Sequence, residues 1–355
     1  MPIADHKARL LSIIDTFATQ RLLVVGDLIA DEFIYGEVAR VSREAPVLIL
    51  KYDATAVLPG GAGNAASNVA ALGGRAWLAG IVGADGEGRR LLASFPRGVD
   101  RSLVAREPAC ATPIKTRILA GGVHAARQQV VRIDREPGWP VSEKIGRSLV
   151  ARLRPALAEC DGVLLSDYGS GLVSPELAAR VQQALGTRST RLKQRPVPVL
   201  VDSRYRLLDY RGLTGCTPNE SEVEEALGGA IRDNGSLERA GRTLLRKTGM
   251  PAVLVTRGSR GMALFEQGQP TVHIPIFGSD EVTDVTGAGD TVMATFGLAL
   301  SAGATYYEAA RLANYAGGLV VMKRGTATVS APELSEAVRS DRSGAGVRES
   351  ARGQR

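Results

Sequence analysis

Cysteine and histidine are scarce in this chain, three of each in 355 residues. Cys110, Cys160 and Cys216 stand far apart, odd in number, without CxxC spacing or a neighbouring histidine. A disulfide framework or a zinc site is therefore not expected, and a reducing compartment fits. Aromatic residues make up 5%, and none interleave with the basic runs as base-stacking platforms would require. No segment approaches the roughly 18 consecutive apolar residues that a membrane helix needs. Residues 1–20 (MPIADHKARLLSIIDTFATQ) space their apolar side chains helically between charges and lack a continuous signal-peptide core. These absences lead us to expect a cytoplasmic protein with neither membrane nor nucleic acid as a partner.

The formal charge of +7 would argue otherwise if it were spread over one face, but it is concentrated in two places. Residues 187–197 (TRSTRLKQRPV) carry four basic and no acidic side chains, and residues 339–355 carry five arginines against Asp341 and Glu349. We read these as a solvated loop and a solvated tail. What the chain has in abundance is apolar residues, at 44%, enough for a sizeable core, and glycine, at 41 residues. The glycines cluster at 60–63, 83–88 and 287–289, and such clusters mark places where backbone approaches a ligand.

The first half reads as a helix followed by the buried strand RLLVVGD (21–27) and the short strands 31–38 and 46–51. A helix through PGGAGNAASNVAALGG (59–74), the strand 75–83 and the extended runs 113–120 and 128–134, separated by Gly121 and Gly122, complete it. Strands outnumber helices here, which predicts a small accessory sheet. From about residue 142, helices at 142–159, 174–186, from Asn219, and at 236–248 alternate with strands at 161–167, 197–202, 213–218 and 252–256. That alternation predicts a parallel sheet covered on both faces, closed by helices at about 287–302 and 305–322. Asp27, Asp167, Asp202, Asn219 and Thr256 fall at carboxyl ends of strands, where open parallel sheets bind ligands.

The stretch DVTGAGDTVMATF (284–296) places Gly287, Ala288 and Gly289 at the start of an apolar helix. Backbone N–H groups left bare at such a start, together with the helix dipole, hold an anion. Asp290 in the first turn could simply favour the dipole. Beside an anion cradle it could also serve as the base that phosphoryl transfer to a hydroxyl needs. The glycines at 60–63 carry neither the GxxxxGK[ST] of a phosphate-binding loop nor the third glycine of a dinucleotide fingerprint, and an ordinary helix-start turn would explain them too. Asn219 with Glu222 three residues on reads as a capping box, and VTRGSRGMAL (255–264) as a hairpin.

DVTGAGD and PGGAGNAASNVAALGG together resemble the two hallmarks of the PfkB, or ribokinase-like, carbohydrate kinases. The resemblance implies a three-layer αβα sandwich with a mostly parallel sheet and a small β-sheet lid, with lid strands within 31–51 and 113–134 of a kinase domain covering 1–338. Residues 339–355 are expected to be a disordered tail. It implies ATP and Mg²⁺ as cofactors, with a monovalent cation possible, and dimer formation through the lid. Asp290 would be the catalytic base and the amides of Gly287, Ala288 and Gly289 the anion hole. Gly60, Gly61 and Asn64 would bind sugar hydroxyls, with Asp27 gripping the sugar. Asn219, Thr256, Gly258, Gly261 and Asn314 would line the nucleotide, and Glu222 would hold Mg²⁺ through water.

A narrower resemblance runs through 35–47, 113–119, 128–136, 164–173 and 323–334 to the heptose 7-phosphate kinases of lipopolysaccharide core biosynthesis. It implies transfer from ATP to D-glycero-β-D-manno-heptose 7-phosphate at O1, with Asp167 beside the substrate. The sugar phosphate would need cations, and Arg40, Lys115, Arg117, Arg132 and Arg204 are the candidates. Three departures stand out. The usual DPK reads Asp202, Ser203, Arg204; residues 187–197 look inserted; and His6, His124 and His273 form no HxGH motif, so adenylyl transfer is not expected. A kinase for another sugar, sugar phosphate or nucleoside, and a non-catalytic sugar-binding protein on the same fold, remain as alternatives.

Overall fold

The computed structural model describes residues 3–121, 127–136, 143–192, 195–278, 284–323 and 325–341. In chain order the elements are α1 (Ile3–Asp15), β1 (Arg21–Gly26), β2 (Leu28–Val41), β3 (Leu48–Gly61), α2 (Ala62–Ala71), β4 (Arg75–Gly83), α3 (Gly86–Ser94) and β5 (Val99–Glu107). They continue as β6 (Ile114–Gly121), β7 (Gln128–Arg135), α4 (Glu143–Glu159), β8 (Gly162–Asp167), α5 (Pro175–Leu192), β9 (Val199–Ser203), β10 (Gly215–Cys216) and α6 (Glu220–Leu227). The last are α7 (Asn234–Thr248), β11 (Ala252–Thr256), β12 (Met262–Glu266), β13 (Val272–Ile274), α8 (Ala288–Ser301), α9 (Tyr306–Val320) and α10 (Ala331–Ser340).

Nine strands form one sheet in the order β13-β12-β11-β10-β9-β8-β1-β4-β5. It is parallel from β5 to β11, and β12 and β13 add antiparallel strands at one edge. The two-residue period of a strand decides which core each side chain joins. Leu22 and Val24 of β1 enter one apolar cluster with α1, α2, α8, α9 and α10, while Leu23 and Val25 enter the other with α4, α5 and α7. Helices therefore cover both faces, and the strand order reverses between β1 and β8, which opens a crevice at their carboxyl ends. α8 is buried from Asp290 to Ala299. A helix apolar on all sides belongs inside, and packing against α2, α9, β8 and β9 fixes where its N-terminus lies.

The expected accessory sheet is present as β3-β2-β6-β7. Its strands are longer than the sequence pattern suggested: β2 and β3 each run 14 residues, with pairing from Leu28↔Gly61 out to Val41↔Leu48. The run 46–51 covers only the outer end of β3, and Pro59 to Gly61, expected in the following helix, are strand, because the alanines, proline and glycines of 54–61 carry little strand propensity. α3 and β5 were not anticipated, because their turn signals fell inside one glycine-rich stretch. The run 213–218 contributes only the two residues of β10 to the sheet. The basic stretch is not a loop at its start: α5 continues to Leu192, and residues 193–194, like Gly122 and His124, lie outside the described residues. The expected tail boundary also shifts. α10 extends to Ser340, and Asp341 is buried, accepting from Tyr315 Oη at 2.5 Å and pairing with Arg311; residues 342–355 lie outside the described residues. Among the described residues no helix is long and apolar enough to cross a membrane.

Candidate active site

The carboxyl ends of β8, β9, β10 and β11 and the N-terminus of α8 enclose a cleft of about 360 Å³, whose walls include Asp167, Tyr168, Asp202, Arg204, Glu222 and Asp290. Asn219, Thr256, Gly287 and Gly289 also line it.

Gly287 caps α8 with φ = 75°, a backbone region that side chains disfavour. A Cβ there would lie 2.3 Å from Asn64 Nδ2. Only glycine lets α2 and the start of α8 approach this closely, and the approach places Asn64 on Asp290. Asn64 Nδ2 donates to Asp290 Oδ2 at 2.9 Å and to the Gly287 carbonyl at 3.3 Å. Tyr168 Oη donates to Asp290 Oδ1 at 3.2 Å. The seam is locked one turn deeper, where Asn68 donates to Asn64 and accepts from Thr291 Oγ1 at 3.0 Å. Burial pushes the Asp290 carboxyl up to about 7, opposed by the bonds from Asn64 and Tyr168. A carboxylate so poised can accept a proton near neutral pH. Of the three α8 amides named from the sequence, that of Ala288 donates to Val285 O at 3.2 Å. Those of Gly287 and Gly289 have no backbone acceptor among the described residues.

The substrate-side residues divide. Asp27 is buried and accepts from the Tyr168 amide at 2.7 Å, the Ser170 amide at 3.2 Å and the Ser170 hydroxyl. It braces the turn that carries Tyr168, and it does not line the cleft. Asp167 is likewise engaged, by Ser203 Oγ at 2.8 Å and Tyr210 Oη at 2.7 Å. Four residues beyond Asp27, Asp31 is buried against Arg117 in an ion pair. A Cβ on Gly60 would sit 2.3 Å from an Asp31 carboxylate oxygen, so the glycine is what admits this side chain. Gly61 makes the turn into α2 with φ = 57°. Among the candidate cations Arg132 pairs with Asp134, and Arg40 is exposed on the outer part of β2. Lys115 is half-buried with Nζ 5.5 Å from the centre of the Tyr168 ring, and burial and then the repulsion of Arg204 hold its ammonium below the usual range. Neither Lys115 nor Arg204 has an ion-pair partner within 4 Å among the described residues.

On the nucleotide side, the expected capping box exists: Asn219 Oδ1 accepts from the Glu222 amide and Glu222 Oε2 from the Asn219 amide, both at 2.9 Å. Glu222 still faces the cleft, where it meets Asp202. Burial, then repulsion by Glu222, Asp290 and Asp167, pushes the Asp202 carboxyl well above its ordinary range, and burial also raises Glu222. Five carboxylates line the cleft against one cation, Arg204, among the described residues, an excess of negative charge that suits a hard divalent ion. Among the described residues no three acidic, histidine or cysteine side chains converge tightly enough for an all-protein cage. That arrangement fits Mg²⁺, which keeps water and phosphate oxygens in its shell. Residues 255–264 do form a hairpin, β11 to β12. Thr256 lines the cleft, Gly258 has φ = 56°, Gly261 abuts the backbone of Ile274 to Ile276, and Asn314 Nδ2 donates to Pro275 O at 2.9 Å. Gly261 and Asn314 shape the wall around 274–276, and neither they nor Gly258 line the cleft itself.

Residues 19–334 match the pfkB family carbohydrate kinases. The chain belongs to that family. As a pfkB carbohydrate kinase it is a phosphotransferase acting on a sugar hydroxyl. Bifunctional protein HldE of Geobacter metallireducens is 44% identical over 314 residues, 88% of this chain and 61% of that protein. The HldE protein of Caulobacter vibrioides is 42% identical over 323 residues, 90% and 63% respectively. The chain thus spans about three-fifths of the length of these curated relatives. Arabidopsis thaliana ribokinase, solved with ribose and ATP, superposes with a TM-score of 0.68 at 22% identity, covering 90% of this chain and 99% of that one. Phosphofructokinase-2 of Escherichia coli with fructose-6-phosphate gives 0.68 at 18% identity over 90% and 98%. These two establish the ribokinase-like fold.

Sequence reading missed Tyr168, Asp31 and the place of Asp202 in this pfkB site. Tyr168 lay within a phrase, LLSDYGSGLV, whose end-of-strand position was the available signal. Asp31 was hidden because it falls within a strand and two acidic residues precede and follow it closely, Asp27 and Glu32.

Proposed function

We propose that this pfkB kinase transfers the γ-phosphoryl of ATP, with Mg²⁺, to the C1 hydroxyl of D-glycero-β-D-manno-heptose 7-phosphate. The observation that carries the reading is the pair Lys115 and Arg204, two cations near Asp290 with no carboxylate within 4 Å among the described residues, which suit a second phosphate already on the substrate. The HldE relatives support the same sugar class. In this reading Asp290, oriented by Asn64 and Tyr168, takes the proton of the attacking hydroxyl. The amides of Gly287 and Gly289 face the charge developing on the transferring group. Asp31, held by Arg117, takes the sugar-hydroxyl role that sequence gave to Asp27, whose oxygens are engaged elsewhere. Asp202 and Glu222 would hold Mg²⁺ through water, and the ion would offset charge on the nucleotide phosphates.

An ADP-release panel of phosphorylated and unphosphorylated sugars tests this. Heptose 7-phosphate should give the highest kcat/KM, and Lys115→Met should raise its KM about 10- to 100-fold, the loss of one charge-assisted contact, while leaving the KM for ATP within about twofold. Turnover of an unphosphorylated sugar in preference, or an unchanged sugar KM, refutes the assignment.

The same reading includes a homodimer formed through the lid. Val41, Leu48, Tyr52, Val130, Val131 and Ile133, all on the accessory sheet or its ends, are each 45–65% exposed, an apolar surface that monomers rarely present. Light scattering should return twice the chain mass, and Tyr52→Asp combined with Ile133→Asp should return the single-chain mass at micromolar concentration. A wild-type monomer would disprove the lid dimer.

A further inference from the structure

A second cleft, about 580 Å³, lies away from the active site between α3 and β5, the strand at the far edge of the nine-stranded sheet. Three guanidiniums line it, those of Arg89, Arg101 and Arg106. None has a carboxylate partner within salt-bridge distance among the described residues, whereas the neighbouring Arg90 pairs with Glu32 and Glu87. Asp100 is the one acid on the wall, and its Oδ1 accepts from the Ser102 amide at 2.8 Å. The lining is therefore +2, with its single negative group engaged at the strand itself.

The geometry follows from one extra residue in β5. The register runs Trp77↔Asp100 and then Ala79↔Leu103, a bulge at Arg101–Ser102. A bulge shifts the in–out alternation by one, so Val99 and Val104 both join the α3-side core while Leu103 and Ala105 face the opposite cluster. Arg101 donates to the Leu92 carbonyl in the last turn of α3. That bond anchors the guanidinium on the cleft wall, and its other N–H groups have no acceptor among the described residues. Apolar Leu92, Val99 and Val104 form the floor. A cleft of ligand size with an apolar floor and convergent cations is what a small anionic molecule with a flat or aliphatic body requires.

We propose that the α3–β5 cleft is a second binding site, for a phosphate-bearing small metabolite, distinct from the kinase centre. Occupancy should be felt there. α3 carries Arg89 on the cleft and Arg90 on Glu32, the residue after Asp31, and its N-cap Asp85 accepts from the Thr112 amide and hydroxyl at 2.8 and 2.7 Å, just before β6 brings in Lys115 and Arg117.

The test is calorimetric titration of the full chain with tripolyphosphate while the kinase centre is saturated with a non-hydrolysable ATP analogue and heptose 7-phosphate. One saturable site per chain is expected, and Arg101→Met combined with Arg106→Met should weaken it at least tenfold with kcat of the kinase reaction within twofold of wild type. Arg89→Met, on the other wall, provides an independent variant and should weaken the same site. An isotherm identical in all three proteins, or none in wild type, overturns the proposal and leaves the arginines as charges that keep an exposed sheet edge from pairing.

Discussion

Asp290→Asn should lower kcat by roughly a hundred- to ten-thousand-fold, the usual contribution of a positioned general base, while the Kd for ATP stays within about twofold. The substitution preserves shape. An asparagine can still accept from Asn64 Nδ2 through its oxygen, and its amide can donate to Tyr168 Oη, a hydroxyl that accepts as well as donates, so the seam between α2 and α8 has no reason to open. What it removes is the ability to take a proton at the one atom where the anion-facing helix start and the sugar-side cations meet. Single-turnover phosphoryl transfer and equilibrium ATP binding, measured on the same preparation, separate the two effects. A variant with near-normal kcat would eliminate Asp290 as the base.

The same residue gives a pH signature with two opposite signs. Activity requires the ionised form, so kcat/KM for the sugar should rise with pH through about 7 and level off above it. Stability runs the other way. The buried carboxyl has a folded-state pKa raised from about 4 to about 7, so burial costs nothing below pH 4, and the cost grows from there to 7, reaching at most about 4 kcal/mol. Asp290→Asn has no group to titrate. It should therefore melt at a higher temperature than wild type at pH 8 and lose that advantage as pH falls toward 4.

How much of this was visible in the sequence depends on the kind of signal each residue leaves. The parallel sheet was legible because its strands are buried on both faces and read as short apolar runs at 21–27, 161–167 and 252–256. The start of α8 was legible because a carboxylate, two glycines and an apolar helix follow one another without a gap. Lid strands were readable where β-branched and aromatic residues cluster, at 31–38, 46–51, 113–120 and 128–134, whereas the inner part of β3 was not, since Ala54, Ala56, Pro59, Gly60 and Gly61 carry little strand propensity and its pairing with β2 is what holds it extended. Asp27 drew the sugar-binding role because it follows the first strand, yet its position in space is set by the Tyr168–Ser170 turn, a contact across 141 residues that no local pattern encodes. The ranking of the five candidate cations had the same cause. Which guanidinium is neutralised depends on cross-strand neighbours, and Arg117 meets Asp31 only because β2 and β6 pair in the register that sets Phe33 opposite Arg117.

That pair carries the second large effect. Arg117→Met should destabilise the fold by about 3–5 kcal/mol, since removing one partner of a buried ion pair leaves the other charge uncompensated. Burial already raises the Asp31 carboxyl against the opposing pull of Arg117, so without the guanidinium it rises further. A raised acid loses stability as pH increases, and the deficit of the variant should therefore be larger at pH 8 than at pH 5. Denaturant melts at the two values measure this directly. Adding Asp31→Asn to the variant removes the stranded charge and should recover most of the lost stability, because two neutral groups of similar shape need no counter-ion. The double variant then separates structure from chemistry: if Asp31 holds sugar hydroxyls it will fold like wild type yet show a sugar KM raised at least tenfold with ATP affinity retained. Recovery of both stability and sugar KM would confine Asp31 and Arg117 to holding the lid strands together.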